Sequence, residues 1–421
     1  MRNSSTVLAL ATVVVALAAC STAPLQTQFV IQNPNDLLFD EYFLYEGESL
    51  PLVEQPNLFE LPSNYRPALD RIIADSDSEY ERYRKMRSWI YRHFQGYDFD
   101  VTETYSLAQL NTNRKINCLS FSVMFVAAAR YVDVPANFQL VLAPPYWDRE
   151  DNNWINNQHI NVSGTIELED APTPESFQGA DWLRGGSYTR LIRGPVYMPE
   201  SKTSRRYTAD INPAVLNVGA ARKKIDDRQV LSLYFSNKAI EALLDRDISG
   251  AYANIKEALA ADPDSSIAWN NLGVLYSKVG QQDKSIAAYE RAIALDENMY
   301  SAKSNLASSF RSAGMNLQAA FIESEIEAFR NQNPYYHSAL AEDSIAEGDF
   351  DNAMSHLEEA VAHKSNEHFF YHQIAVVNQQ RGDVMSMLEN LDRARRYARG
   401  AEKTRFAGKL EALEEFYAAQ E

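Results

Sequence analysis

From about residue 232 onward, apolar residues recur at helical spacing, and small residues mark the pattern at a fixed step. Gly280, Gly314, Gly348 and Gly382 are 34 residues apart, as are Ala239, Gly273, Ala307, Ala341 and Ala375. A third set, Ala258, Ala292, Ile326, Ala360 and Ala394, keeps the step with one larger residue. The period predicts about five helix pairs between about residues 232 and 401, whose backbones approach closely at the small positions. Trp269, Leu272, Tyr276 and Tyr289 would fill the space around one such contact. An amphipathic stretch over 403–418 predicts a helix that closes the stack, as a solenoid requires. Arg246 stands where the first pair would have its turn glycine, and Met387 replaces a small residue in the last pair. Such departures belong at terminal repeats.

The region before the repeats has a different texture. Residues 75–94 carry Tyr80, Tyr83, Met86, Ile90 and Phe94 on one apolar stripe and predict a helix. Residues 119–132 are apolar almost all round, which predicts a buried helix stopped by Pro135. Alternating or β-branched stretches predict strands over 138–143, 158–168 and 206–211. Between the last two lies 169–205, rich in Pro, Gly and Ser; so long an irregular stretch in a compact domain suits a lid, a substrate-binding loop or a disordered insertion.

The first residues follow the plan of a secretory leader: Arg2, a polar stretch, an apolar run from Val7 to Ala19, and small residues before Cys20. The run is too short for a permanent membrane helix. Its Leu17-Ala18-Ala19-Cys20 ending resembles a bacterial lipobox, which implies cleavage before Cys20 and lipidation of that cysteine. Ser21 stands where inner-membrane retention usually calls for Asp, so the expectation is an outer-membrane lipoprotein facing the periplasm. Residues 21–35 then read as a tether. The chain has only two cysteines, so with Cys20 acylated, Cys118 has no partner for a disulfide. A formal charge of −17 argues against a nucleic-acid partner.

Cys118 has the setting of a nucleophile. Asn117 is a good N-cap, which places the sulfur in the first turn of the buried helix, where backbone N–H groups and the helix dipole favour thiolate. A thiol nucleophile also needs a base and a group that orients the base. His159 lies on the second predicted strand, with Asn157, Asn161 and Ser163 on its face. Asp210 lies on the third, with Tyr207, Ala209 and Ile211 facing away from it.

The blocks Asn117-Cys118-Leu-Ser-Phe-Ser-Val-Met-Phe-Val-Ala-Ala-Ala-Arg130, Asn157-Gln-His159-Ile-Asn-Val162 and Tyr207-Thr-Ala-Asp210-Ile-Asn resemble the transglutaminase-like branch of the papain-type thiol enzymes. The resemblance covers roughly residues 70–220. It implies an α+β papain/transglutaminase-like fold with Cys118 as nucleophile, His159 as proton shuttle and Asp210 as orienting group. The family often has glycine where Asn117 stands; its amide could cap the helix or help bind an oxyanion, for which the Cys118 backbone N–H is a further donor. The later region, with Trp269, Leu272, Gly273, Tyr276, Gly280, Tyr289 and Ala292, resembles the tetratricopeptide pattern. The register puts Ile267, Asn270, Val274, Ser277 and Lys278 on the concave face of the second repeat. The carboxylate clamp of chaperone-type repeats is not reproduced, so the expected occupant is an internal peptide or protein surface, or the chain's own front domain.

The resulting organisation is a leader over 1–19, a tether over 20–35, a transglutaminase-like domain over 36–225, and an all-α tetratricopeptide-repeat solenoid over 226–421. The functional expectation is a lipid-anchored thiol enzyme that hydrolyses an amide or transfers an acyl group on a peptide or protein substrate, with repeats that recruit a protein partner. The rival is a non-catalytic envelope adaptor with an inert front domain. Neither reading calls for a cofactor. His356, His363, His368 and His372 lack a completing cysteine or carboxylate pattern and read as solvated histidines rather than a metal site. Lys202, Arg205 and Arg206, with Arg222, Lys223 and Lys224, form two basic clusters that suit surface pairing or contact with phosphate groups.

Overall fold

The computed structural model describes residues 37–44, 48–100, 102–142, 147–150, 153–156, 159–168, 204–211, 221–398 and 400–418. The leader with Cys20, the tether and the greater part of the 169–205 stretch lie outside the described residues.

Helix α1 (Arg66–Ala74) begins with Pro67 in its first turn, where a missing N–H costs nothing. Helix α2 (Glu79–His93) begins after Ser78, whose hydroxyl accepts the Glu81 N–H at 3.2 Å. The cap sets the start of α2 later than the apolar stripe predicts, and α1 is a helix that the pattern does not reveal. Strand β1 (Asp98–Phe99) pairs in parallel with β2 (Lys115–Ile116), and α3 (Leu107–Asn113) bridges them. Helix α4 (Cys118–Tyr131) follows directly, with every residue from Leu119 to Ala129 buried. Its chain then turns through Asp133 in the left-handed region, φ 56°, and Val134 N–H closes on the Ala129 carbonyl at 2.9 Å.

Strands β3 (Asn137–Leu142), β6 (His159–Glu167), β7 (Ser204–Ala209) and β8 (Ala221–Ile225) form one antiparallel sheet in the order β7-β6-β3-β8. A hairpin, β4 (Trp147–Glu150) and β5 (Asn153–Asn156), lies between β3 and β6. The sheet packs on α4 through Phe138, Ile160, Val162, Ile166, Tyr207 and Ala209, all nearly inaccessible to solvent. The described members of the two basic clusters fall on its two edges, Arg205 and Arg206 in β7 and Arg222, Lys223 and Lys224 in β8, while Lys202 lies outside the described residues. Charged side chains on edge strands oppose pairing with another chain, which gives these clusters a reason to exist without a phosphate ligand. Strand β8 itself was hidden in the sequence by its charge.

The repeats form helix pairs α5 (Asp227–Leu244) with α6 (Ile248–Ala261), α7 (Ser266–Lys278) with α8 (Gln282–Leu295), α9 (Tyr300–Ser312) with α10 (Asn316–Gln332), α11 (Pro334–Glu347) with α12 (Phe350–His363), and α13 (His368–Gln380) with α14 (Val384–Tyr397). Helix α15 (Gly400–Ala418) closes the stack. The small positions are where backbones meet: a Cβ on Gly273 would lie 2.5 Å from the Tyr289 ring. Gly280, Gly314, Gly348 and Gly382 turn at φ 76° to 78°, and Arg246 adopts φ 63° at the same place.

The front region and the first repeats share one apolar core that runs without a break from Leu37 to Met299 and Ala302. Polar ties reinforce it. Arg130 at the end of α4 forks onto Asp227 at the start of α5, at 2.6 and 2.8 Å. Leu37 to Phe43 dock on the repeats: the Tyr276 hydroxyl donates to the Leu37 carbonyl at 2.6 Å, Asp40 pairs with Lys256 at 2.8 Å and accepts the Tyr252 hydroxyl at 3.0 Å, and Phe43 stacks on Tyr252 at 3.9 Å. Residue 226 is therefore a change of architecture inside a continuous core.

Candidate active site

The site forms where the start of α4 meets the ends of two neighbouring strands. Asn117 has extended backbone and its Oδ1 accepts the Ser120 N–H at 2.9 Å, so the cap predicted from sequence is in place and Cys118 is the first residue of α4. The Cys118 thiol is partly exposed and lies near enough to His159 to help raise the imidazole's pKa. His159, the first residue of β6, directs Nε2 to Oδ2 of Asp210 at 2.6 Å. With Nε2 engaged by the carboxylate, Nδ1 is the nitrogen left for the sulfur.

Register explains the meeting. In the β6–β7 pairing Val162 lies opposite Ala209, so Asn161 comes opposite Asp210 just past the end of β7. Antiparallel alternation then puts His159 and Asn161 on the face that Asp210 occupies. Asp210 is 4% exposed although ionisable, which it tolerates because its partners surround it. Asn161 Nδ2 donates to Oδ2 at 3.0 Å, and the Tyr91 hydroxyl donates to the Asp210 main-chain carbonyl at 3.1 Å. Asn161 was legible from strand alternation as a neighbour of His159. Tyr91 was not, since it lies beside the apolar stripe of α2 and nothing in its spacing points to Asp210.

Burial pulls the His159 pKa down, but the hydrogen bonds to Asp210 and Cys118 and the charges on both raise it to about 10. The imidazole is thus held protonated between two groups that can be anionic. A thiol at the start of a helix beside a charged histidine is an arrangement that nucleophilic chemistry can use.

The amide of Asn117 is committed elsewhere. Its Nδ2 donates to the Glu103 carbonyl at 3.0 Å and to Thr104 Oγ1 at 2.8 Å, while Oδ1 holds the cap. The oxyanion role considered for this side chain is excluded by that accounting. The Cys118 N–H, one of the groups that a helix start leaves without an intrahelical partner, remains as a donor.

The concave-face residues divide. Ile267 and Ser277 are half-buried and Lys278 is exposed. Val274 is buried in the apolar core between the second and third repeats. Asn270 is 4% exposed, and its Oδ1 accepts from Asn305 Nδ2 at 3.1 Å, tying α7 to α9. Val274 and Asn270 are therefore packing residues, not open groove. Strand β5 runs alongside α9, so the front region itself covers part of the repeats.

Among the described residues no cluster of His, Cys, Asp and Glu could hold a metal ion. The His337 ring lies 5.8 Å from His363 and 6.4 Å from His356, while His368 and His372 both pack on Phe406. His372 is not a solvated histidine: burial pushes its pKa down to about 4. Among the described residues no helix is long and apolar enough to cross a membrane.

Residues 266–299, which contain α7 and α8, match the family model of the tetratricopeptide repeat. No curated protein matches the chain in sequence. Among solved structures, the MamA protein is 18% identical over 40% of this chain and 91% of its own, with a TM-score of 0.23. MamA 41-end from Desulfovibrio magneticus RS-1 is 12% identical over 41% and 96%, with a TM-score of 0.23. YrrB, described as a TPR protein with an unusual peptide-binding site, is 15% identical over 39% and 86%, with a TM-score of 0.23. The chain thus joins an α+β front region to a helical solenoid with tetratricopeptide repeats, a class of repeat whose stacked surfaces bind proteins and peptides.

Proposed function

We propose that the protein is a transglutaminase-like thiol enzyme acting on a peptide or protein substrate, with the repeats serving as the surface that recruits a protein partner. The observation that carries this reading is the His159–Asp210 pair at 2.6 Å with Cys118 beside it as the first residue of α4. In the reaction, the Cys118 thiolate attacks the acyl carbon and forms a C–S bond, while the carbonyl electrons move to oxygen. The Cys118 N–H is the donor available to that oxyanion. As the tetrahedral species collapses, the His159 imidazolium gives its proton to the leaving amine and a thioester remains. Water or a second amine then attacks the thioester, His159 takes the proton, and the thiolate returns. Asp210 keeps the imidazole oriented and compensates its charge throughout.

The test is trapping with a peptide ester, followed by intact mass. Wild type should accumulate a Cys118 acyl adduct that hydroxylamine removes. Cys118→Ala should form none while melting close to wild type, and an unaltered adduct in that variant would refute the assignment.

The Leu17-Ala18-Ala19-Cys20 ending supports a lipid anchor and a place in the bacterial envelope, at the outer membrane facing the periplasm. Incorporation of labelled palmitate should depend on Cys20. A second reading, an adaptor whose front region is inert, is favoured by the tetratricopeptide match. It requires that Cys118→Ala leave cells unaffected while Lys278→Glu, on the exposed part of the repeat surface, disrupts a complex.

A further inference from the structure

The start of α4 is held from the repeat side. Thr104, only 2% exposed, sits between Asn117 and the first repeat. Its Oγ1 accepts from Asn117 Nδ2 at 2.8 Å and from Asn237 Nδ2 at 3.0 Å. Its N–H donates to Glu241 Oε1 at 2.5 Å. Asn237 and Glu241 lie four residues apart on α5, so they share a face, and Lys238 pairs with Glu241 on the same turn. Asn237, Thr104, Asn117 and Cys118 therefore form a chain from the first repeat helix to the thiol. The route has a direct physical consequence at its end. Asn117 can cap α4 only while its amide keeps Oδ1 toward Ser120, and Thr104 Oγ1 together with the Glu103 carbonyl accepts both of its N–H bonds in that orientation alone.

Resting on the thiol site proposed above, we propose that Asn237 and Glu241 are positioning residues for Cys118, so that the first tetratricopeptide repeat completes the nucleophile's setting. They act through Thr104 on the N-cap, and the cap fixes the direction of the Cys118 N–H and sulfur relative to His159. Removing either end of the chain lets the Asn117 amide rotate, loosens the first turn of α4 and shifts the sulfur relative to His159.

The experiment uses the full chain with Cys20→Ser, so that Cys118 is its one thiol, and measures the rate of alkylation by iodoacetamide from pH 5 to 10. The parent should react well below the ordinary thiol range around pH 8.5. Asn237→Ala and Thr104→Val should each slow the reaction at neutral pH by about fivefold, the effect of losing one ordinary hydrogen bond, and move the profile to higher pH. Thr104→Ser, which keeps the hydroxyl, should restore the parent profile. Lys256→Ala, which breaks the distant pair with Asp40, serves as the control that lowers melting temperature without altering the profile. If Asn237→Ala does not fold, the Thr104→Val and Thr104→Ser pair decides. Variants that melt earlier yet reproduce the parent profile would overturn the positioning role and leave the thiol site intact. A parent that reacts only above pH 8.5 would overturn the thiol reading itself, and this proposal with it.

Discussion

Gly164 in β6 has no room for a side chain: a Cβ would lie 2.2 Å from the Pro135 carbonyl oxygen and 2.3 Å from the Tyr207 ring. Neither neighbour can yield, since Tyr207 is buried and its hydroxyl is bonded to that same carbonyl at 2.7 Å. Gly164→Ala should therefore cost about 2–4 kcal/mol, read as a lower urea midpoint. Arg246 offers the opposite case. It holds φ 63° where the later repeats have glycine, so Arg246→Gly should gain about 1 kcal/mol and raise the melting temperature. His159 makes stability depend on pH. Its folded-state pKa lies above its ordinary 6.5, at about 10, so the stabilisation is complete below pH 6.5 and is lost as pH rises toward 10. The urea midpoint of wild type relative to His159→Gln should fall across that window, and a constant difference would contradict the assigned protonation.

At the scale of elements, legibility followed periodicity. The 34-residue step places the helix pairs because each small residue has a buried counterpart one repeat away, and Ala239, Ala307, Ala341 and Ala375 are all buried. The repeat that carries Ile326 also differs in its join: α10 runs to Gln332 and is connected to α11 by the single residue Asn333. Apolar packing also divides there, since the core of the last two pairs and α15 begins at Ala341 and is separate from the cores before it. Hydrogen exchange in mild urea should show α11 to α15 opening as a unit at lower free energy than α4 to α8, and one common protection class would contradict it. Within the front region, α4 was readable because it is apolar on every side, and the His159 strand because it alternates. Helix α1 is only nine residues long, with a proline in its first turn, and β8 carries its edge charges where a strand signal would be. The three members of the thiol site were legible as residue types in order. The hydrogen bonds of Tyr91, Thr104 and Asn237 to that site were not, because each depends on contacts between residues far apart in the chain.

The whole molecule behaves as one folding body at its front. With a core continuous from Leu37 into the repeats, a chain ending at residue 225 would leave Leu37, Phe43 and Thr104 without the Tyr276, Tyr252 and Asn237 side chains they rest on. Such a fragment should be insoluble or lack a cooperative transition in circular dichroism, whereas a chain ending after α10, at residue 332, should melt cooperatively. The docked segment from Leu37 to Phe43 has a mechanical meaning as well. Any tension applied upstream of residue 37 enters through the Leu37–Tyr276 and Asp40–Lys256 contacts, hence through α7 and α6. These bonds would be loaded before the sheet, so a pull from that side reaches the repeats first and the strands that carry His159 only through them.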